Sequence, residues 1–144
     1  YKGKGLDFMR GISIDIVNSM EKAPDIHHIF PQSYCEKMGY DRQKWNSVIN
    51  KTPLLPESNR EIGGAAPSVY SAKILKKADI EQDELRNRIE SNLIAWDAFI
   101  ADDFDAYFKA RAVALLDAIE LAMGKSISDR STEETIKRFG CSLE

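Results

Sequence analysis

Two short runs of strand-favouring residues, each stopped by a proline, place the tightest limits on the fold of this chain. Residues 25–30 are bulky and β-branched and stop at Pro31, and residues 51–55 stop at Pro56. Proline lacks the amide hydrogen that a sheet ladder needs, so we expect a strand to end at each point. The predicted sheet is therefore small, and helices must supply most of the core.

Helical signals account for most of the remaining chain. Pro67 suits a first helical turn, and we predict a helix from there to about residue 77. Asp102 and Asp103 suit the positive end of a helix predicted over residues 102–123, which Gly124 stops. Isoleucines at 12, 14 and 16 fit either a short strand or the start of a helix. Further helical turns are predicted at 32–38, at 41–48, from 57 to Gly63, along the stripe of Leu85, Ile89, Leu93 and Ile100, and after a capping box at 131–134.

Composition fits a single domain with a hydrophobic core. Of the 144 residues, 43% are hydrophobic and 30% are charged, which argues against a disordered segment. No apolar run approaches the roughly 18 residues that a membrane span needs, so we expect no membrane contact. Two distant cysteines, Cys35 and Cys141, suit a reducing cytoplasm, and Cys35 is predicted to be a small core residue. Because the chain starts at Tyr1, we expect a piece of a longer protein.

Charge is unevenly spread along the sequence. The net charge is −3, which argues against a protein that coats nucleic acid with its whole surface. Residues 25–77 hold eight basic and five acidic side chains, whereas residues 78–144 hold eight basic and fifteen acidic ones. A local basic site in the first of these regions is compatible with this distribution.

The only two histidines in the chain are adjacent, at His27 and His28. Neighbouring strand residues point to opposite faces, so both can serve one site only if the strand ends or twists there, which the nearby Pro31 favours. One imidazole of such a pair can bind a metal ion while the other removes a proton from water, because its pKa lies near neutrality.

Two asparagines and two basic residues follow the histidines. The side-chain oxygens of Asn50 and Asn59 suit hard cations such as magnesium and can also orient an imidazole. Lys51 and Arg60 lie directly beside them, and both side-chain types bind phosphate oxygens. The set predicts a site where a phosphate ester meets a metal ion.

These residues resemble a known family. The segments that carry the resemblance are DIHHIFPQS at 25–33, NKT at 50–52 and NR at 59–60. Together they resemble the HNH endonuclease motif with its ββα-metal fold. The flanking segments are similar to the C-terminal HNH region of bacterial proteins that also carry a ParB-like nucleotide-hydrolysing domain, as in modification-dependent restriction enzymes. The catalytic resemblance covers about residues 25–70, and the wider similarity, which includes Asp7, Phe8 and Gly11, about residues 5–77.

The resemblance implies a role for each motif residue. His28 would be the general base that activates the attacking water, and His27 would bind the metal. Asn50 would tether the loop and orient His28. Asn59 would be the second metal ligand, and Asp25 would support the site or act as an auxiliary ligand. Many relatives have a histidine where this chain has Asn59, so the pattern here is H-N-N.

The resemblance also implies a fold, a cofactor and partners. We expect an α+β, mainly helical domain that contains a ββα-metal core within residues 1–77, with a helical region at 78–144 packed on it. The expected cofactor is Mg²⁺ or Mn²⁺, with Zn²⁺ or Ni²⁺ as alternatives. DNA and an N-terminal ParB-like domain of the same chain are the expected partners, in a bacterial restriction or defence protein of the cytoplasm.

Plainer interpretations of the same residues stay open. Asn59 suits a helix cap and Asn50 suits a turn. Asp25 can simply start a strand, and Lys51 and Arg60 can be solvated charges. The whole domain can also be a non-catalytic module that binds DNA or protein and keeps the HNH scaffold, which the acidic C-terminal half favours. The aromatic residues at 45, 96, 104, 107 and 108 are expected in the core.

Overall fold

The computed structural model describes residues 5–14 and 24–124, without the side chains of 122 and 123. Two strands and seven α-helices lie in this part of the chain, joined at one point by a short 3-10 turn. In chain order they are β1 (Asp25–His28), α1 (Gln32–Met38), α2 (Arg42–Trp45), the 3-10 turn (Val48–Asn50), β2 (Lys51–Leu54), α3 (Pro56–Ile62), α4 (Pro67–Ala78), α5 (Gln82–Glu90), α6 (Trp96–Ile100) and α7 (Phe104–Met123). The predicted α+β, mainly helical class is confirmed.

The two strands pair as an antiparallel hairpin. Asp25 lies opposite Leu54, and His28 lies opposite Lys51. The first strand is two residues shorter than predicted. Ile29 still donates to the backbone oxygen of Asn50, but the amide of Phe30 donates to the side-chain oxygen of Asn50, so the ladder ends there. Helix α3 begins directly after the second strand and packs on the first.

Several predicted helix boundaries are confirmed, because each is set by the backbone preference of a single residue. Pro67 opens α4, and Gly124 ends α7 in the left-handed conformation that glycine adopts without strain (φ 66°). The helical turns predicted at 41–48 are found at Arg42–Trp45, but they do not run on to residue 48, because an extended Ser47 (ψ 162°) separates α2 from the 3-10 turn. The stripe through Leu93 is also interrupted, since the chain turns there at φ 62°. Residue 16 and the capping box at 131–134 lie outside the described residues.

The hydrophobic core contains side chains from the hairpin and from the helices. Cys35 and all five aromatic residues expected in the core are buried, as predicted. Phe30, just beyond β1, stacks on Tyr107 of α7 with ring centres 4.5 Å apart. The helices that follow the hairpin therefore pack directly against the loop that leaves β1. Within the described residues, no helix is both long and apolar enough to cross a membrane.

Candidate functional site

Three of the seven predicted site residues line a cleft of about 370 Å³ beside the hairpin. His27 and His28 line one wall from β1, and Asn59 lines it from α3. Gln32 and Glu36, one turn apart on α1, line another part of the wall. The cleft therefore gathers His27, His28 and Asn59 with three polar side chains that were not predicted as site residues, those of Gln32, Ser33 and Glu36.

His27 and Asn59 meet at the edge of this cleft. The Nδ1 of His27 lies 2.9 Å from the Oδ1 of Asn59. Asn59 in turn donates from Nδ2 to Asp25 at 3.4 Å, a contact that holds the amide oxygen toward the histidine. Asp25 and His27 share a face of β1 because strand side chains alternate, so both face α3.

The other side of the His27 ring is enclosed by aromatic side chains. The rings of Phe8 and Tyr70 stand edge-on to it, with centres 5.9 Å and 5.7 Å away. The Nε2 of His27 is buried and has no hydrogen-bond partner among the described residues. A buried ring nitrogen without a partner costs stability.

Burial lowers the pKa of His27 to about 4. Desolvation is the main cause, and the positive charge that His28 can carry lowers the pKa further, while the hydrogen bond that His27 donates to Asn59 acts in the opposite direction. His27 is therefore neutral at pH 7. A neutral imidazole is the form that binds metal ions.

His28 points away from His27 toward the end of α2. Its Nε2 lies 3.2 Å from the Oδ1 of Asn46, and its ring stands edge-on to Trp45. Asn46 was not predicted from the sequence, because an asparagine after a short helix is a common terminating residue and carries no mark of a second role.

Asn50 lies behind the cleft and does not line it. Its side chain accepts from the amide of Phe30 and donates to the carbonyl oxygens of Phe30 and Trp45, each at 2.8–2.9 Å. This fully buried carboxamide therefore ties the loop after His28 to the end of α2. The His28 ring is hydrogen-bonded to the side-chain oxygen of Asn46 instead.

Helix α7 holds the turn around Asn50 in place. Tyr107 donates to the side chain of Asn50, and Arg111, one turn later, donates to the carbonyl oxygens of Ile49 at 2.5 Å and Lys51 at 3.1 Å. Arg111 is 2% exposed. No pattern in the sequence linked these two residues to the site, since each lies more than 50 positions from its partner.

The predicted phosphate contacts lie outside the lining of the cleft. Lys51 is half-buried opposite His28 in the hairpin, and Arg60 is exposed beside Asn59 on α3. Across the part of the chain that the structure covers, no group of three or more histidine, cysteine or acidic side chains is placed to hold a metal ion.

Comparison with known proteins identifies one distant relative. An uncharacterized protein of Methanocaldococcus jannaschii, MJ0686, is 32% identical to this chain over 96 residues. The matched part is 65% of this chain and 16% of the relative, so the chain spans only a small share of the relative's length. No family model matches the chain, and no solved structure matches it.

Proposed function

We propose that this domain is a metal-dependent endonuclease of the HNH type that hydrolyses phosphodiester bonds in DNA. The observation that carries the proposal is the 2.9 Å approach of His27 Nδ1 to Asn59 Oδ1 at a cleft that His28 also lines. The order of β1, β2 and α3, with α3 packed on β1, agrees with the ββα unit that the sequence resemblance implies.

The His27–Asn59 pair fits a divalent cation. Without metal, the 2.9 Å contact is a hydrogen bond from His27 Nδ1 to the Asn59 oxygen, so a cation held by these two atoms would take the place of that proton, which would move to Nε2. Mg²⁺ and Mn²⁺ accept an oxygen and a nitrogen ligand with water completing the shell, and Zn²⁺ and Ni²⁺ also bind imidazole. Asp25 would hold the Asn59 amide in the ligating orientation through the 3.4 Å contact.

His28 is the proposed general base. Its Nε2 faces the side-chain oxygen of Asn46 and therefore carries the proton of the neutral ring, which leaves Nδ1 free to accept a proton from water. The cation would stabilise the charge that develops on the phosphate and the leaving oxygen. His27 and Asn59 would hold that cation at the cleft that His28 also lines.

DNA would reach the cleft along the hairpin and α3. Lys51 and Arg60 flank His28 and Asn59 on these two elements and would bind backbone phosphates on either side of the cleft. Selection of the target would come from another part of a longer protein, such as a ParB-like domain, in a bacterial restriction or defence system of the cytoplasm.

A second candidate is a non-catalytic module that binds DNA or protein through the same scaffold. It is favoured by the small ligand set of the cleft, since the described residues offer no group of three histidine, cysteine or acidic side chains. The surplus of acidic side chains in residues 78–144 would suit a protein partner better than DNA.

Plasmid nicking separates the two candidates. Supercoiled DNA is incubated with Mg²⁺ or Mn²⁺ and the native chain, His28→Ala, or the control Asn87→Ala, whose side chain is exposed on α5. Nicking by the native chain and the control but not by His28→Ala supports catalysis. Equal nicking by all three would indicate a contaminating nuclease, and metal binding without cleavage would favour the second candidate.

A further inference from the structure

A buried carboxylate outside the motif contacts the helix that carries Asn59. Asp7 is 0% exposed and belongs to the segment of residues 5–14. Its Oδ1 accepts from the amide of Leu55 at 2.8 Å, and its Oδ2 accepts from the hydroxyl of Ser58 at 2.7 Å. Leu55 is the residue before α3, and Ser58 directly precedes Asn59.

The same carboxylate is fixed on its own segment. Its Oδ2 also accepts from the amides of Met9 and Arg10, at 3.1 Å and 2.9 Å. Arg88 of α5 donates to the carbonyl oxygens of Phe8 and Met9, so α5 also holds this segment. The donors at the first turn of α3 therefore bond to a carboxylate that is itself fixed in position, and not to solvent.

Phe8, the residue after Asp7, contacts His27, the other proposed ligand. Phe8 is fully buried and packs edge-on against the ring of His27. Two consecutive residues thus contact the surroundings of both proposed ligands. Asp7 bonds to the start of α3, which carries Asn59, and Phe8 packs on the imidazole of His27. Asn59 and His27 come from elements 32 positions apart, and this segment is packed against both elements.

We infer that Asp7 is a positioning residue for the His27–Asn59 pair. It sets the position of the first turn of α3 and so the 2.9 Å approach of Asn59 to His27. The role in metal binding rests on the proposed function, whereas the positioning of the two side chains does not. The segment before the hairpin is then part of the site.

Asp7→Asn tests this role with little change of shape. An amide nitrogen would replace one oxygen that faces hydrogen-bond donors, because all four partners of the carboxylate donate to it. The matched control is Asp103→Ala, which removes another carboxylate that accepts an amide at a helix start, at the first turn of α7.

The first readout needs no metal. Nuclear magnetic resonance of the ¹⁵N-labelled chain follows the His27 ring nitrogens and the Asn59 side-chain amide. We expect Asp7→Asn to shift both sets of signals and Asp103→Ala to leave both unchanged. If Asp7→Asn does not fold, Ser58→Ala, which removes one of the four hydrogen bonds, is expected to produce the same shifts at smaller size. Unchanged signals in the folded variant would overturn the inference.

The second readout is Mn²⁺ affinity, measured by calorimetric titration. Loss of a residue that orients metal ligands weakens binding about 10- to 100-fold, so we expect this loss for Asp7→Asn and native affinity for Asp103→Ala. Equal affinity of Asp7→Asn and the native chain would contradict the metal part of the inference. A native chain that binds no Mn²⁺ would instead contradict the proposed function, and the metal-free spectra would still decide the positioning.

Discussion

The hydroxyl of Tyr107 donates a 2.9 Å hydrogen bond to the side-chain oxygen of Asn50, 57 positions earlier in the chain. Both side chains are fully buried. Since Asn50 ties down the loop after His28, helix α7 supports the wall of the cleft from behind. The long C-terminal helix is thus joined to the candidate site by hydrogen bonds as well as by packing.

Tyr107→Phe removes this bond and keeps the ring that stacks on Phe30. We expect a loss of about 1 kcal/mol in the free energy of unfolding, because the oxygen of Asn50 keeps its second donor, the amide of Phe30. Urea unfolding measures the change. The control is Tyr40→Phe, at a partly exposed ring that stacks on Phe104, and it should change stability by less than about 0.5 kcal/mol. Equal losses in both variants would contradict the buried bond.

Asn46→Ala is expected to slow cleavage without unfolding the domain. Asn46 is exposed, so its removal should cost less than about 1 kcal/mol. The His28 ring would lose the partner that fixes its proton on Nε2, and we expect the nicking rate to fall about tenfold or more. Initial rates on supercoiled plasmid measure this, with Gln43→Ala, also exposed on α2, as the control. Native rates in Asn46→Ala would exclude a role for this contact.

The limits of several elements were readable from the sequence because they depend on local chemistry. Pro67 and Gly124 mark helix ends by their own backbone preferences. The break at Ser47 was missed, because it accompanies the capture of the Trp45 carbonyl by Asn50, a contact that the helical pattern of 41–48 does not reveal.

The candidate site was readable only in part, for a similar reason. The family resemblance picked out His27, His28 and Asn59, which line one cleft. Asp7 and Tyr107 support that cleft from positions far away in sequence, and such contacts leave no periodic pattern. Their roles required the packing of the chain to be known.

Cys35 is expected to resist thiol reagents in the folded protein. Burial raises the pKa of its thiol to about 12, with the nearby Glu36 adding to the effect, and its Sγ donates to the carbonyl oxygen of Phe30 at 3.4 Å. The reactive thiolate is therefore scarce at pH 8 and is shielded from reagent. In a Cys141→Ser background, labelling with a chromogenic disulfide should stay slow until urea unfolds the chain. Rapid labelling without urea would contradict this burial.

The stability of the metal-free protein is expected to fall as the pH is lowered from about 6.5 to about 4. Unfolded His27 has its ordinary pKa of 6.5, whereas burial holds the folded pKa at about 4. Below pH 6.5 the unfolded chain therefore binds a proton that the folded chain does not, and this favours unfolding. The full effect of His27 is about 3 kcal/mol, reached near pH 4 and constant below it.

Urea unfolding at several pH values between 7 and 4 measures this slope, with His27→Gln as the comparison because glutamine does not titrate. The carboxylates of both proteins titrate alike at the lower end of the range, so the difference between the two curves isolates the histidine. We expect the native chain to lose stability relative to the variant as the pH falls from 6.5. Parallel curves would show that His27 binds a proton as readily in the folded chain as in the unfolded one. That result would contradict the lowering of its pKa by burial between Phe8 and Tyr70.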